Sequence, residues 1–149
     1  MIYGIIHQGS GLGNQLHRYV MTRVLAADKG LQFGMINPEG FKGKDFMSLD
    51  MGVPFPGTFH VEHGSGKVIP EGHEMALFSE KKVMEGNTDI RGYDPEVNFI
   101  GDNTIIDGEF QDERYFNHRI EDVKRWLAVK PLAMPTDTCI IGFRGGEFT

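Results

Sequence analysis

The chain has 149 residues, of which 40% are hydrophobic and 24% charged, with a mean hydropathy of −0.30; this composition excludes a disordered chain and supplies enough apolar material for a real core. Its 15 Lys and Arg against 21 Asp and Glu leave a net charge of −6. No run of basic residues is present to neutralise a nucleic-acid backbone, so nucleic acid is excluded as an expected partner, whereas a small phosphorylated ligand is not.

The one cysteine, Cys139, has no partner for an intramolecular disulfide. No basic region followed by an apolar stretch opens the sequence, and no apolar run approaches the ~20 residues of a membrane span. The cytoplasm is the expected location, and any membrane association would be peripheral.

In chain order, Ile2 to His7 reads as a short apolar strand that runs into Gly9-Ser10-Gly11-Leu12-Gly13-Asn14-Gln15. Glycines at such a junction let the backbone turn sharply and approach a ligand, and the unpaired amides of a following helix favour an anion. A helix is predicted from Asn14 or Gln15 to about Gly30, with Leu16, Val20, Val24 and Ala27 at helical spacing beside Tyr19. Leu31 to Ile36 is the next predicted strand. Strand, glycine turn, amphipathic helix and strand make a βαβ unit, hence a parallel sheet.

From Asn37 to Gly72 frequent Gly and Pro break any long element, and the segment reads as loop with one strand near Thr58 to Glu62. Glu74 to Phe78 is a predicted strand, and Glu80 to Glu85 a short helical piece. Thr104 to Asp107 reads as a buried strand ending at Gly108. Asp112 to Phe116 and Ile120 to Leu127 are predicted helical, the second burying Ile120, Val123, Trp126 and Leu127 on one face, with Tyr115 and Phe116 also in the core. Lys130 to Pro135, with two prolines, reads as a linker. Thr138 to Phe143 is a further predicted strand in which Cys139 is a small buried apolar residue. It leads into Arg144-Gly145-Gly146-Glu147. A strand ending on a glycine turn normally feeds a helix, so the sequence reads as part of a longer protein with a second domain.

Motif by motif, the Gly9 to Gln15 loop fits neither common nucleotide signature. A Walker loop needs Gly-Lys-Ser/Thr, and the dinucleotide fingerprint needs a third glycine after Gly13. An acidic residue at the end of the second strand, where Asn37 stands, is also absent, which argues against a nicotinamide-dependent oxidoreductase. A strand-to-helix turn that binds no ligand is the plain alternative. His60 and His63 flank Val61-Glu62, where alternation puts them on opposite sides, so no metal site is expected there.

Ser10-Gly11-Leu12-Gly13-Asn14-Gln15 followed by Tyr19 resembles the Gly-Gly-Leu-Gly-Asn-Gln opening of bacterial α-1,2-fucosyltransferases, glycosyltransferase family 11. Asp107-Gly108-Glu109-Phe110-Gln111 with Tyr115-Phe116 behind it is similar to that family's Gly-Tyr-Phe-Gln segment ahead of a Tyr-Phe pair. Phe46 to Val53 resembles its variable early region. Ile141-Gly142-Phe143-Arg144-Gly145-Gly146-Glu147 is similar to the His-X-Arg-Arg-Gly-Asp donor motif, with Gly142 in place of its histidine, Gly145 in place of its second arginine and Glu147 in place of its aspartate. Ser10 stands where the opening motif has its first glycine.

The resemblance implies an α/β Rossmann-like parallel sheet forming the N-terminal half of a two-domain GT-B glycosyltransferase. Residues 1–135 would be the first, acceptor-side domain, and residues 136–149 the first strand and donor-motif loop of a second. It further implies inverting transfer of fucose from GDP-fucose to a hydroxyl of a glycan acceptor, with neither metal nor cofactor, and little activity from the first domain alone. Gly11, Gly13, Asn14, Arg144 and Glu147 are the implied substrate-binding residues. The chemistry suits them, because departure of GDP builds charge on the β-phosphate that a guanidinium and backbone amides stabilise most in the transition state. Deprotonating the acceptor requires a base. Glu147, Glu109 and Asp112 are the candidates, and the sequence singles out none of them. A non-catalytic carbohydrate-binding or assembly module of the same fold is the alternative, and the glycines at 142 and 145 fit lost catalysis.

Overall fold

A computed structural model describes residues 1–61, 68–70, 75–81, 83–85, 88–90, 92–129, 137 and 139. Four strands form a fully parallel sheet: β1 (Ile2–Ile5), β2 (Phe33–Ile36), β5 (Ala76–Ser79) and β8 (Thr104–Asp107), in the order β2-β1-β8-β5. Helix α1 (Leu12–Asp28) connects β1 to β2, so the predicted βαβ unit is present and the fold is α/β and Rossmann-like. Two antiparallel hairpins stand apart from the sheet, β3 (Phe59–Val61) with β4 (Val68–Pro70) and β6 (Val83–Glu85) with β7 (Thr88–Ile90). Short 3-10 turns at Pro38–Gly40, Pro95–Phe99, Glu113–Tyr115 and Asn117–Arg119 precede helix α2 (Ile120–Trp126). No helix among the described residues is long and apolar enough to cross a membrane.

Strand alternation divides the core into two faces. Ile2 and Ile6 join Tyr19, Val20, Met21, Val24 and Leu25 of α1 in clusters that also take in Ile106, Phe110, Tyr115 and Val123. Tyr3, Ile5, Ile36 and Ile105 pack on the other face under Met1, Phe55 and Met75. Gly4 brings α1 against the sheet, since a Cβ there would lie 1.9 Å from Thr22 Oγ1.

Several expectations need correction. α1 begins at Leu12, two residues before the earliest predicted start, because Gly11 takes the extended N-cap conformation and Gly13 falls inside the first turn. At its other end Gly30 adopts φ +63° while the Leu31 amide donates to Ala26 O, a helix-terminating pattern that removes Leu31 from the strand. Ala27 is exposed and Ala26 buried, because α1 is covered both by the sheet and by the segment around α2, which turns the buried stripe away from position 27. Glu80 to Glu85 is not helical: its helix-favouring Lys, Met and Glu are overridden by hairpin pairing, with Val83 opposite Ile90 and Glu85 opposite Thr88. Val68–Pro70, read as loop, pairs with the strand predicted near Thr58.

Tyr115 is buried, and Phe116, Trp126 and Leu127 pack against the core as expected. Cys139 is exposed rather than buried, and the rest of the strand predicted over 138–143 lies outside the described residues. The linker at 130–135, His63, and the Arg144 and Glu147 expected to bind substrate lie outside the described residues.

Candidate functional site

The carboxyl ends of β1, β2 and β8 converge on one edge of the sheet. β1 and β8 are neighbours where the strand order reverses, because β1 continues outward to β2 while β8 and β5 lie on its other side. Ligands of open α/β sheets bind at such a position. A cleft of about 990 Å³ opens on this edge, lined among others by His7, Gly9, Ser10, Asn37, Glu39 and Phe55.

The glycine loop forms one side of this edge. Gly11 is the N-cap of α1 at φ −65° and ψ 159°, no side chain caps the helix, and no acidic residue occupies its first turn. Among the described residues the first-turn amides therefore have no intrahelical or capping partner, the arrangement that favours an anion. An added Cβ at Gly9, Gly11 or Gly13 would meet nothing within 4 Å among the described residues, and none of the three has a left-handed φ. Internal packing does not demand glycine at these positions. What glycine does there is keep the main chain open on its outer side.

Asn14 connects this loop to the segment after β8. Its Oδ1 accepts a hydrogen bond of 2.9 Å from Gln111 Nε2, which also donates to Glu109 Oε2 at 3.1 Å. Two stretches nearly a hundred positions apart in the chain, Ser10 to Gln15 and Asp107 to Gln111, thus meet through side chains that the sequence had marked separately. Glu80, at the end of β5, shapes the second stretch. Its Oε2 accepts from the Glu109 and Phe110 amides at 2.7 and 3.0 Å, and its Oε1 accepts from the Tyr115 hydroxyl at 2.8 Å. This clamp holds buried Phe110 at φ +48°, a left-handed conformation that costs a bulky residue energy.

A polar stripe on α1 carries the rest. Gln15, Arg18 and Thr22 are all buried, spaced so that one helical face presents them to the sheet. Gln15 donates to His7 O and Gly40 O at 3.0 Å each and accepts from the Lys42 amide at 2.9 Å. It ties the end of β1 to the turn after β2. Arg18 Nη1 donates to Asp107 Oδ1 at 2.8 Å, and His7 Nε2 lies 3.0 Å from the same oxygen. Side-chain exposure is 10% for Arg18, 16% for Asp107 and 23% for His7. Burial alone would raise the pKa of Asp107, but the His7 hydrogen bond and the charges of His7 and Arg18 outweigh it and hold the carboxyl below its ordinary range. On the far side of the cleft Asn37, at φ +58°, donates through Nδ2 to Ile6 O at 2.8 Å.

Of the residues expected to bind substrate, Gly11, Gly13 and Asn14 share this edge. Two of the candidate bases are also described. Asp112 caps the turn at Glu113–Tyr115 and is gripped by Arg114 at 2.8 and 2.7 Å. The Arg114 hydrogen bonds, against a smaller opposing effect of burial, bring its pKa down to about 2, so it has little affinity for a proton. Glu109 is half-buried beside Gln111. Sequence reasoning passed over His7, Arg18, Asp107 and Glu80. The available signal was the run of polar residues at 15, 18 and 22 on a face whose neighbours are apolar, together with an ionisable residue closing each of three strands.

No protein-family model matches the chain, and neither a curated protein nor a solved structure matches it.

Proposed function

We propose that the protein is a glycosyltransferase of the α-1,2-fucosyltransferase type, transferring fucose from GDP-fucose to a glycan hydroxyl, with residues 1–135 forming the acceptor-side domain of a GT-B enzyme and residues 136–149 entering the donor-side domain. The observation that carries the reading is the hydrogen bond between Asn14 and Gln111, which joins the two best-matched motif segments at the carboxyl edge of a parallel sheet. The open glycine backbone and the uncapped amides of α1 support it, because both suit a negatively charged group brought close to the main chain. In this reading Arg144 binds phosphate oxygens of the departing GDP from the second domain, Glu147 contacts the donor, and Asn14 contributes its side-chain amide.

The glycines separate this reading from that of a turn without a ligand. Gly13→Ala meets no neighbour, so it is expected to leave the fold intact or stabilise α1 by roughly 0.5–1 kcal/mol. It is also expected to reduce sugar transfer by the full-length gene product at least tenfold, as is Arg144→Ala. Thermal melts and a transfer assay with GDP-fucose read the two effects separately. A Gly13→Ala protein that is more stable and fully active would sink the role given to the loop. The second reading, a carbohydrate-binding module, draws on the glycines at 142 and 145 and predicts glycan retention on an array without any donor.

A further inference from the structure

We infer that His7 is the general base for the acceptor hydroxyl, with Asp107 and Arg18 as its positioning residues, a proposal that rests on the glycosyltransferase reading. One carboxylate oxygen holds the cluster together. Asp107 Oδ1 accepts from Arg18 Nη1 at 2.8 Å and lies 3.0 Å from His7 Nε2. A carboxylate paired with a guanidinium is ionised and has no proton to donate. His7 must therefore be the donor in its contact, so the neutral ring carries its proton on Nε2 and its lone pair on Nδ1. Nδ1 has no hydrogen-bond partner among the described residues.

The position suits a base. His7 stands two residues past β1, its main-chain oxygen is fixed by Gln15 at 3.0 Å, and it lines the cleft together with Gly9, Ser10, Asn37 and Glu39. The charged groups that face it are Asp107 from β8, Arg18 from α1 and, across the same cleft, Glu39 from the turn after β2. Asp107 favours the imidazolium that forms on proton uptake, while Arg18 keeps Asp107 ionised and limits the stabilisation. The carboxylate thus offsets the charge that the ring gains when it takes a proton from the acceptor.

The step balances. The acceptor oxygen forms a bond to the anomeric carbon of fucose, and the bond from that carbon to the GDP oxygen breaks, its electron pair remaining on the β-phosphate. The hydroxyl proton passes to His7 Nδ1 and is later released to water.

Two measurements test the proposal. Nitrogen-15 NMR of the His7 ring is expected to show the Nε2-protonated tautomer at neutral pH. A ring protonated on Nδ1 would overturn the assignment whatever the protein binds, and the measurement needs no variant. In the full-length gene product, His7→Gln is expected to lower kcat for transfer by 10²- to 10⁴-fold and to remove the acidic limb of the pH profile, with GDP affinity by calorimetry unchanged. A folded His7→Gln protein with wild-type kcat and pH profile overturns the base assignment and leaves the transferase reading standing. Absence of GDP binding by the wild-type protein overturns the transferase reading, and the role of His7 with it.

Discussion

Gln15→Leu is expected to destabilise the protein by about 3 kcal/mol, since three main-chain groups lose a partner worth roughly 1 kcal/mol each. Gln15 is completely buried, and its amide serves His7 O, Gly40 O and the Lys42 amide together. Leucine fills a similar volume and can replace none of these bonds. For a chain of this length the loss corresponds to a fall in Tm of roughly 6–12 °C. Urea unfolding of both proteins at pH 7 measures it. The last residue of the Gly-Leu-Gly-Asn-Gln motif is thereby assigned a structural duty, holding the end of β1 against the turn after β2 so that the cleft keeps its shape. A Gln15→Leu protein as stable as the wild type would remove that duty.

Asp107→Ala is expected to cost at least as much, about 3 kcal/mol, because breaking a largely buried ion pair takes from Arg18 the carboxylate that balances its charge. Arg18 would be left at 10% side-chain exposure without its carboxylate, and His7 would lose the group that orients it. The pH dependence carries the same signature. The carboxyl of Asp107 lies lower in the folded protein than its ordinary value of about 3.9, so its contribution is fully present above that value and is lost as pH falls through the folded pKa. Unfolding free energies measured from pH 7 down to pH 3 are therefore expected to fall less steeply below pH 4 for Asp107→Ala than for the wild type. Parallel curves would show that the carboxylate is not coupled to folding.

The parallel sheet was legible because its strands are short apolar runs between turn signals, buried in β1, β2 and β8 though largely exposed in β5, and Thr104 to Asp107 was placed to the residue. The β1-α1-β2 unit could be read for the same reason, since glycines punctuate both of its connections. Of the hairpins only β3 was legible, as the strand near Thr58 to Glu62. β6 and β7 owe their conformation to pairing with each other, and the Glu-Lys-Lys-Val-Met-Glu run at 80–85 has the local preferences of a helix. At the site, glycines and motif residues stood out, but the cluster of His7, Arg18 and Asp107 did not. Its members are a hundred positions apart at the extremes, and each alone has an ordinary explanation: a residue after a strand, a charge on a helix, a strand-ending acid. Only the strand order, with β8 beside β1, makes them neighbours. The same adjacency brings Gln111 to Asn14.

The loop of Gly9 to Asn14 is the centre of the account, and amide chemical shifts test it directly. When GDP-fucose is titrated into the protein, the amides of Gly11, Leu12, Gly13 and Asn14 are expected to show the largest shifts among residues 1–129, with the Gln111 side-chain amide moving alongside them. Those amides staying at their free positions at a saturating concentration of GDP-fucose would contradict the account.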